Sequence, residues 1–249
     1  MAPRDKPAGP LLDLPDVAEA GDRAREAVDA ALRHRALRRQ GGPLAAEVGL
    51  RSARCSAALE SHEYGLEALR SGTVTDPVAQ GALRLSAALD ALAPRWTSAP
   101  RQVLARLHVL AASGSTDADL LGRPQLDHDG MGRLDALLAL LPSGNRGVPA
   151  WLVAAVVHGE LLALRPFPGP NGLVARAAAR LTLISGGLDP RGLLAPEIGH
   201  LERQPEYVGC ANSFATGTPD GVRAWLKHCA AATELAAAAL TGIGDELLG

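Results

Sequence analysis

The stretch that decides the fold is His158–Arg180, HGELLALRPFPGPNGLVARAAAR. An apolar run at helical spacing, residues 151–164, leads into it. Three prolines within five residues stop that run, and a second, Ala-rich helical run starts at Asn171. The segment therefore predicts a helix, a rigid loop and a second helix.

Asn171 and Gly172 lie where this loop meets the second helix. The first turn of a helix has unpaired N–H groups and the positive end of the helix dipole, so it attracts anions. Arg165 and Arg176 add two guanidinium groups. These four residues are the candidate anion pocket, in which Arg165 either strengthens the binding or fills the site with its own side chain.

The same stretch resembles the signature of the Fic (Fido) family, HPFx(D/E)GNGRxxR. Pro166, Phe167, Asn171, Gly172 and Arg176 match it. The resemblance implies an all-α, Fic-like helical bundle of about eight or nine helices around a central helix-loop-helix motif. As an activity, it implies the transfer of AMP from ATP to a protein hydroxyl group.

Four positions depart from that signature. The family's catalytic His is Arg165, its metal-holding acid is Gly169, its first loop Gly is Pro170 and its first Arg is Leu173. A guanidinium stays charged and cannot act as a general base. Gly169 has no side-chain oxygen for Mg²⁺, and Pro170 has no N–H for an anion. We therefore assign no catalytic residue; ATP stays a candidate ligand, and Mg²⁺ is not expected.

A second resemblance lies about a hundred residues upstream, in Ser56-Ala-Ala-Leu-Glu60-Ser61. Many Fic proteins carry an inhibitory helix with the pattern (S/T)xxxE(G/N), whose Glu pairs with the last Arg of the signature. The resemblance thus gives Glu60 an inhibitory role opposite Arg176, as an ion pair strengthened by charge. The alternative is a surface Glu on an ordinary helix.

Other titratable and aromatic residues have simpler interpretations. Residues 127–129, Asp-His-Asp, are metal-ligand types, but a turn that caps the next helix explains them better, and we predict no metal site. His108 and His158 are expected to be hydrogen-bonded core residues.

Tyr207 is either a core residue or, as the resemblance implies, a neighbour of the nucleotide base. The family's target-clamping flap falls on residues 125–128, which lack the alternation of a strand.

Composition excludes several functional classes. The chain has 249 residues, 47% apolar but only 3% aromatic, which favours closely packed helices rich in Leu, Ala and Val. A net charge of -2 argues against nucleic-acid binding, and no apolar stretch is long enough to span a membrane. The three cysteines include no CxxC pair, so a reduced, cytoplasmic protein is expected.

The sequence divides into a disordered N-terminal segment (1–14), an N-terminal helical extension with the inhibitory helix (15–95) and a Fic-like core (96–249). Three functions stay open. The first is a degenerate Fic-fold protein that binds or regulates an unknown protein partner, as a monomer or a homodimer. The second is an active transferase of nucleotidyl or phosphate groups with altered chemistry, autoinhibited by Glu60. The third is a purely structural bundle whose interface lies on the basic end of its first helix, at Arg33, Arg35, Arg38 and Arg39.

Overall fold

The computed structural model describes residues 9–141 and 147–249, and every regular element within them is a helix. In chain order the helices are α1 (Gly9–Leu12), α2 (Val17–Ala31), α3 (Ala36–Arg39), α4 (Gly41–Ala58), α5 (Leu66–Arg70), α6 (Pro77–Trp96), α7 (Pro100–Ala112), α8 (His128–Ala139), α9 (Ala150–Leu164), α10 (Asn171–Ser185), α11 (Pro196–Glu202), α12 (Gln204–Ala215) and α13 (Pro219–Leu248).

The all-α prediction is confirmed. Nine of these helices have 12 or more residues, which matches the expected eight or nine. The other four, α1, α3, α5 and α11, have four to seven residues each. Segments of one or two turns are too short to show a helical period, so the sequence does not reveal them.

The centre of the molecule is the pair of helices α9 and α10, which pack against each other on either side of the proline-rich loop. Every residue of α10 from Asn171 to Leu183 is buried. Helices α4, α6 and α7 cover α10, while α12 and α13 cover α9. A helix that is apolar around its whole circumference, as α9 is, is stable only when its neighbours enclose it in this way.

The N-terminal helices belong to the same packed body. Helix α2 lies along α13, with its apolar face, Val17, Ala20, Ala24 and Val28, buried. A Cβ at Gly21 would lie 2.1 Å from the Trp151 ring, so the glycine lets α2 approach α9 closely. The division between residues 15–95 and 96–249 therefore stays a prediction from the sequence.

Two segments near the N-terminus differ from the expectation. In the segment 1–14, residues 1–8 lie outside the described residues, but residues 9–12 form α1, and Leu11, Leu12 and Leu14 pack against the core. Burial of those leucines stabilises a folded conformation of the chain before residue 15. The basic cluster lies around α3, not at the end of α2, and its four arginines are exposed.

Candidate functional site

Asn171 closes the loop between α9 and α10. Its side-chain oxygen accepts a hydrogen bond from Phe167 N at 3.0 Å, and its amide nitrogen donates to the carbonyl oxygens of Phe167 (2.5 Å) and Gly169 (3.2 Å). The residue is buried. The Asn171 side chain thus holds the loop, while the backbone N–H groups of the first turn of α10, which are the predicted anion donors, are not used by these three bonds.

His108 of α7 supports the loop from the other side. Its ring stacks on Phe167, with centroids 4.4 Å apart and planes at 8°. Gly122 N donates to its Nδ1 at 2.9 Å, so the proton is on Nε2, which donates to the Pro168 carbonyl at 2.8 Å. Burial lowers the pKa of His108, which keeps the ring neutral. This is the hydrogen-bonded core role that the sequence predicts.

The positions that carry chemistry in the signature have a different environment here. Arg165 and Gly169 are exposed, and Arg165 adopts a left-handed conformation (φ 47°, ψ 58°) that ends α9. Leu173 is 1% exposed and packs in the core, so no guanidinium comes from that position. Residues 165–173 include no carboxylate. Carboxylate oxygens are the ligands that Mg²⁺ prefers, so the side chains of this loop do not fit that ion.

The segment before α8 has the simpler role expected for it. Asp127 caps α8 by accepting a hydrogen bond from Gly130 N at 2.8 Å. Residues 123–127 form neither helix nor strand, and Gln125 N donates to the Pro166 carbonyl at 2.8 Å. One backbone bond ties this segment to the loop without making it a strand.

Helix α4 lies across the start of α10 and holds Arg176. The guanidinium donates from Nε to Ser56 Oγ (2.9 Å) and from one terminal nitrogen to the Ser56 carbonyl (2.8 Å) and to Glu60 Oε1 (2.9 Å). Its other terminal nitrogen donates to the Tyr207 hydroxyl at 3.3 Å. The Arg176 side chain is 2% exposed and that of Glu60 is 25% exposed. The ion pair expected from the sequence is therefore present in this structure.

The Glu60 carboxylate lies directly against the backbone of Gly172. A Cβ at residue 172 would lie 1.9 Å from Glu60 Oε1, so only glycine permits this approach. Gly172 is the second residue of α10, where the helix dipole favours a negative charge. Glu60 thus brings its own carboxylate to the end of the helix that would attract an external anion.

The chain turns sharply just after Glu60, at Ser61, which has a positive φ of 68°. Ser61 N donates to the Ala58 carbonyl (2.9 Å) and His62 N to the Ala57 carbonyl (3.0 Å). These two bonds form a Schellman motif that ends α4, and its left-handed position favours Gly or Asn. The Gly or Asn in the inhibitory pattern matches that backbone requirement, which Ser61 meets at a cost in strain.

Tyr207 extends the site into the core. Its hydroxyl lies 3.0 Å from His158 Nε2 as well as 3.3 Å from Arg176. Burial raises the pKa of Tyr207 and lowers that of His158 well below its usual range, so both groups are neutral. The pKa of Arg176 is raised although burial opposes its charge, because Tyr207 and Glu60 favour the cation. His158 is thus a hydrogen-bonded core residue, and Tyr207 is a partner of Arg176.

Comparison with solved structures shows the architecture to be a known one. A Fic family protein from Desulfovibrio desulfuricans G20 matches 94% of this chain over 74% of its own length, with a TM-score of 0.65 and 22% sequence identity. A fragment of Fic-1 from C. elegans matches 93% of this chain over 73% of its length, with a TM-score of 0.68 and 19% identity. A Glu-to-Gly variant of that fragment gives a TM-score of 0.70 at 18% identity, covering 96% of this chain and 75% of the fragment.

The chain has the Fic fold. No family sequence model matches it, and no curated protein is similar to it in sequence. In this Fic fold the structure brings Glu60, Gly172 and Arg176 together, with Asn171 directly beside them in the loop. Arg165 is not part of that cluster, since within the described residues its side chain makes no hydrogen bond or ion pair.

A second polar cluster, which the sequence does not reveal, lies on the far side of Tyr207. There the rings of His200, His228 and Trp225 stack on one another and lie tilted against Tyr207, and Glu206 and Cys210 lie at the edge. Glu206 and Cys210 are four residues apart on α12, which is a weak signal that they share a helix face. The histidines come from α11 and α13, and no local pattern could have placed them there.

Proposed function

We propose that this protein is a degenerate Fic-fold protein that binds a nucleotide or another phosphate-bearing ligand, and regulates a protein partner, without transferring AMP. The observation that carries the proposal is the Glu60 carboxylate, held 2.9 Å from Arg176 and against Gly172 at the start of α10. An anionic group at this point indicates a site whose charge suits a phosphate.

The absence of AMP transfer is inferred from Arg165 and Gly169. Transfer to a hydroxyl group needs a general base beside the acceptor, and a guanidinium does not release its proton near neutral pH. The loop also lacks a carboxylate to hold the Mg²⁺ that would neutralise the charge of a leaving phosphate. Binding without transfer is what the remaining groups support.

A phosphate would have to displace the Glu60 carboxylate. The Arg176 side chain is bonded to Ser56 independently of Glu60, so it stays in place when Glu60 leaves. The exchange replaces one anion by another at the same guanidinium and the same helix end. Glu60 therefore acts as an internal competitor that weakens binding of the external ligand.

Calorimetric titration of ATP, ADP and AMP, each with and without Mg²⁺, tests this proposal. The proteins are the wild type, Glu60→Gly and the matched control Glu63→Gly, in which an exposed Glu three residues further on is removed. We expect binding to appear or tighten at least tenfold in Glu60→Gly alone, with little dependence on Mg²⁺. No heat in any of the three proteins would overturn the proposed ligand.

An assay of AMP incorporation from labelled ATP separates the proposal from its main alternative. We expect no incorporation by the wild type or by Glu60→Gly; incorporation by either would make the protein an active transferase. Arg165→His with Gly169→Asp is the gain-of-function test. Gly169 has a φ of 88°, and its Cβ would lie 2.8 Å from Thr116 Oγ1, so the variant should also carry Thr116→Ala.

A further inference from the structure

Three side chains at the interface of α12 and α13 have ligand atoms that converge on one point. Glu206 and Cys210 are one helical turn apart on α12, and His228 faces them from α13. The carboxylate oxygen, the thiol sulfur and the imidazole nitrogen all lie within 4.8 Å of one another, and Glu206 Oε1 is 3.3 Å from His228 Nδ1. Ligands of a tetrahedral Zn²⁺ ion, at bond lengths of about 2.0–2.3 Å, lie roughly 3.3–3.8 Å apart.

The atoms of Glu206 and His228 that point away from this site have partners of their own. Glu206 Oε2 accepts hydrogen bonds from Arg203 at 2.9 and 2.5 Å. His228 Nε2 lies 3.0 Å from His200 Nδ1. Metal ligands are typically oriented by such outer hydrogen bonds, which leave the other oxygen and the other nitrogen for the ion. Hydrogen bonds with Arg203 and His200 thus help to orient two of the three ligands, Glu206 and His228.

We infer that Glu206, Cys210 and His228 form a binding site for Zn²⁺ or a similar divalent transition-metal ion, with one coordination position open to solvent. A thiolate, an imidazole and a carboxylate together suit Zn²⁺ and exclude Mg²⁺ and Ca²⁺, which prefer oxygen ligands. The imidazole is buried, the thiol is half-buried and the carboxylate is exposed, so the open position faces outward.

The protons balance on binding. The Cys210 thiol loses its proton to solvent and coordinates as the thiolate. His228 coordinates through Nδ1 as a neutral imidazole, and its remaining proton is on Nε2, donated to His200. Binding therefore releases one proton per ion, and the affinity should rise with pH.

The proposed metal site does not rest on the proposed function, because the ligands are neither in the loop nor in contact with Glu60.

Titration with Co²⁺, a spectroscopic substitute for Zn²⁺, tests the site in the full chain under a non-thiol reductant. Thiolate coordination gives a charge-transfer band in the near ultraviolet, and tetrahedral geometry gives strong visible absorption. We expect one Co²⁺ per chain in the wild type and in the control Cys55→Ser, whose thiol is buried elsewhere, and loss of the charge-transfer band in Cys210→Ser. Zn²⁺ should displace the Co²⁺.

A second variant keeps the test decisive. Glu206→Gln should weaken Co²⁺ binding by at least about tenfold, since the loss of even an outer-shell partner costs roughly 10–100-fold, while the helical circular dichroism stays that of the wild type. A charge-transfer band of equal strength in Cys210→Ser, or no band in the wild type at excess Co²⁺, would overturn the proposed site. So would Co²⁺ affinity in Glu206→Gln equal to that of the wild type.

Discussion

Two buried arginines occupy successive turns of α10, and each is bonded to a serine of α4. Arg176 donates to Ser56 and Arg180 donates to Ser52, at 2.9 and 2.8 Å. Beyond that shared frame they differ. Arg176 has the Glu60 carboxylate, whereas Arg180 has the Gly192 carbonyl at 2.9 Å and, within the described residues, an Nε with no partner. Among the described residues, the difference separates a guanidinium paired with a carboxylate from one hydrogen-bonded to a hydroxyl and a carbonyl.

The largest effect should come from removing the charge of Glu60. Glu60→Gln leaves the buried Arg176 cation without its counter-charge, and we expect a loss of about 3 kcal/mol in the free energy of unfolding. Urea denaturation measures this loss. The matched variant Glu63→Gln, at an exposed position of the same segment, should change stability by less than about 0.5 kcal/mol. Equal losses in both variants would show that the ion pair between Glu60 and Arg176 does not contribute more to the free energy of unfolding than an exposed Glu does.

A pair of double-mutant cycles sharpens the comparison of the two arginines. Glu60→Gln combined with Arg176→Met should give a coupling energy of about 2 kcal/mol, because the two groups touch. Glu60→Gln combined with Arg180→Met should give less than about 0.5 kcal/mol. Comparable coupling energies would mean that Glu60 acts on α10 as a whole and not on Arg176.

Gly172→Ala tests the contact between Glu60 and the start of α10. The added Cβ meets the carboxylate oxygen, so the variant should lose about 1–2 kcal/mol, whereas the same change in the background of Glu60→Gly should cost less, because only Arg176 Nη1, 2.9 Å from the Cβ, remains as a close neighbour. Gly242→Ala is the control. Nothing lies within 4 Å of its Cβ in α13, and the substitution should stabilise the helix by about 0.5–1 kcal/mol. Thermal unfolding of the wild type and the four variants (Gly172→Ala, Glu60→Gly, their combination and Gly242→Ala) measures these differences.

The pH dependence of Asp189, near Arg180, tests the other side of the comparison. Burial raises the pKa of Asp189 to about 6, although Leu193 N, Leu194 N and Arg180 all favour its charge. A carboxyl with a raised pKa binds its proton more tightly in the native state, so its contribution to stability is lost as pH rises through about 6.

Between pH 5 and pH 7 the wild type should lose about 1 kcal/mol more stability than Asp189→Asn, measured by urea denaturation at each pH. Parallel pH profiles of the two proteins would mean that Arg180 neutralises Asp189 after all. In that case both arginines would have counter-charges, and the comparison would fail.

The smallest effect is expected at Arg165. Its side chain is exposed, and alanine adopts the same left-handed backbone with similar strain, so Arg165→Ala should change stability by less than about 0.5 kcal/mol. The same variant should weaken nucleotide binding in the Glu60→Gly background only if Arg165 contributes to the pocket. A large loss of stability would indicate that this guanidinium is part of the fold, like Arg180.

The helical fold and the pairing of Glu60 with Arg176 could be predicted because both depend on residues that match a known pattern. The resemblance did not reveal what each residue does. The sequence placed Asn171 at the candidate anion pocket, and that stays a prediction, but it did not reveal that the side chain closes the loop. The role of Gly172 depends on a residue more than a hundred positions away, and the role of Ser61 depends on a backbone angle.

The cluster of Glu206, Cys210 and His228 shows why the remainder could not be predicted. Its ligands come from two helices, and a turn with its own cap lies between them. Periodicity places residues on a face of one helix, but it does not say which faces of two helices meet. Only tertiary packing brings the imidazole to the thiol and the carboxylate.

The length and position of α13 have a consequence for how the protein is made. This helix has 30 residues, roughly 45 Å, and it covers the apolar face of α2, which lies about 200 residues earlier in the chain. At a synthesis rate of about 5–20 residues per second, α2 emerges from the ribosome roughly 10–40 s before its partner exists. During that interval the part of the α2 apolar face that α13 covers has no native partner, and exposed apolar surface of this kind makes a folding chain prone to aggregate.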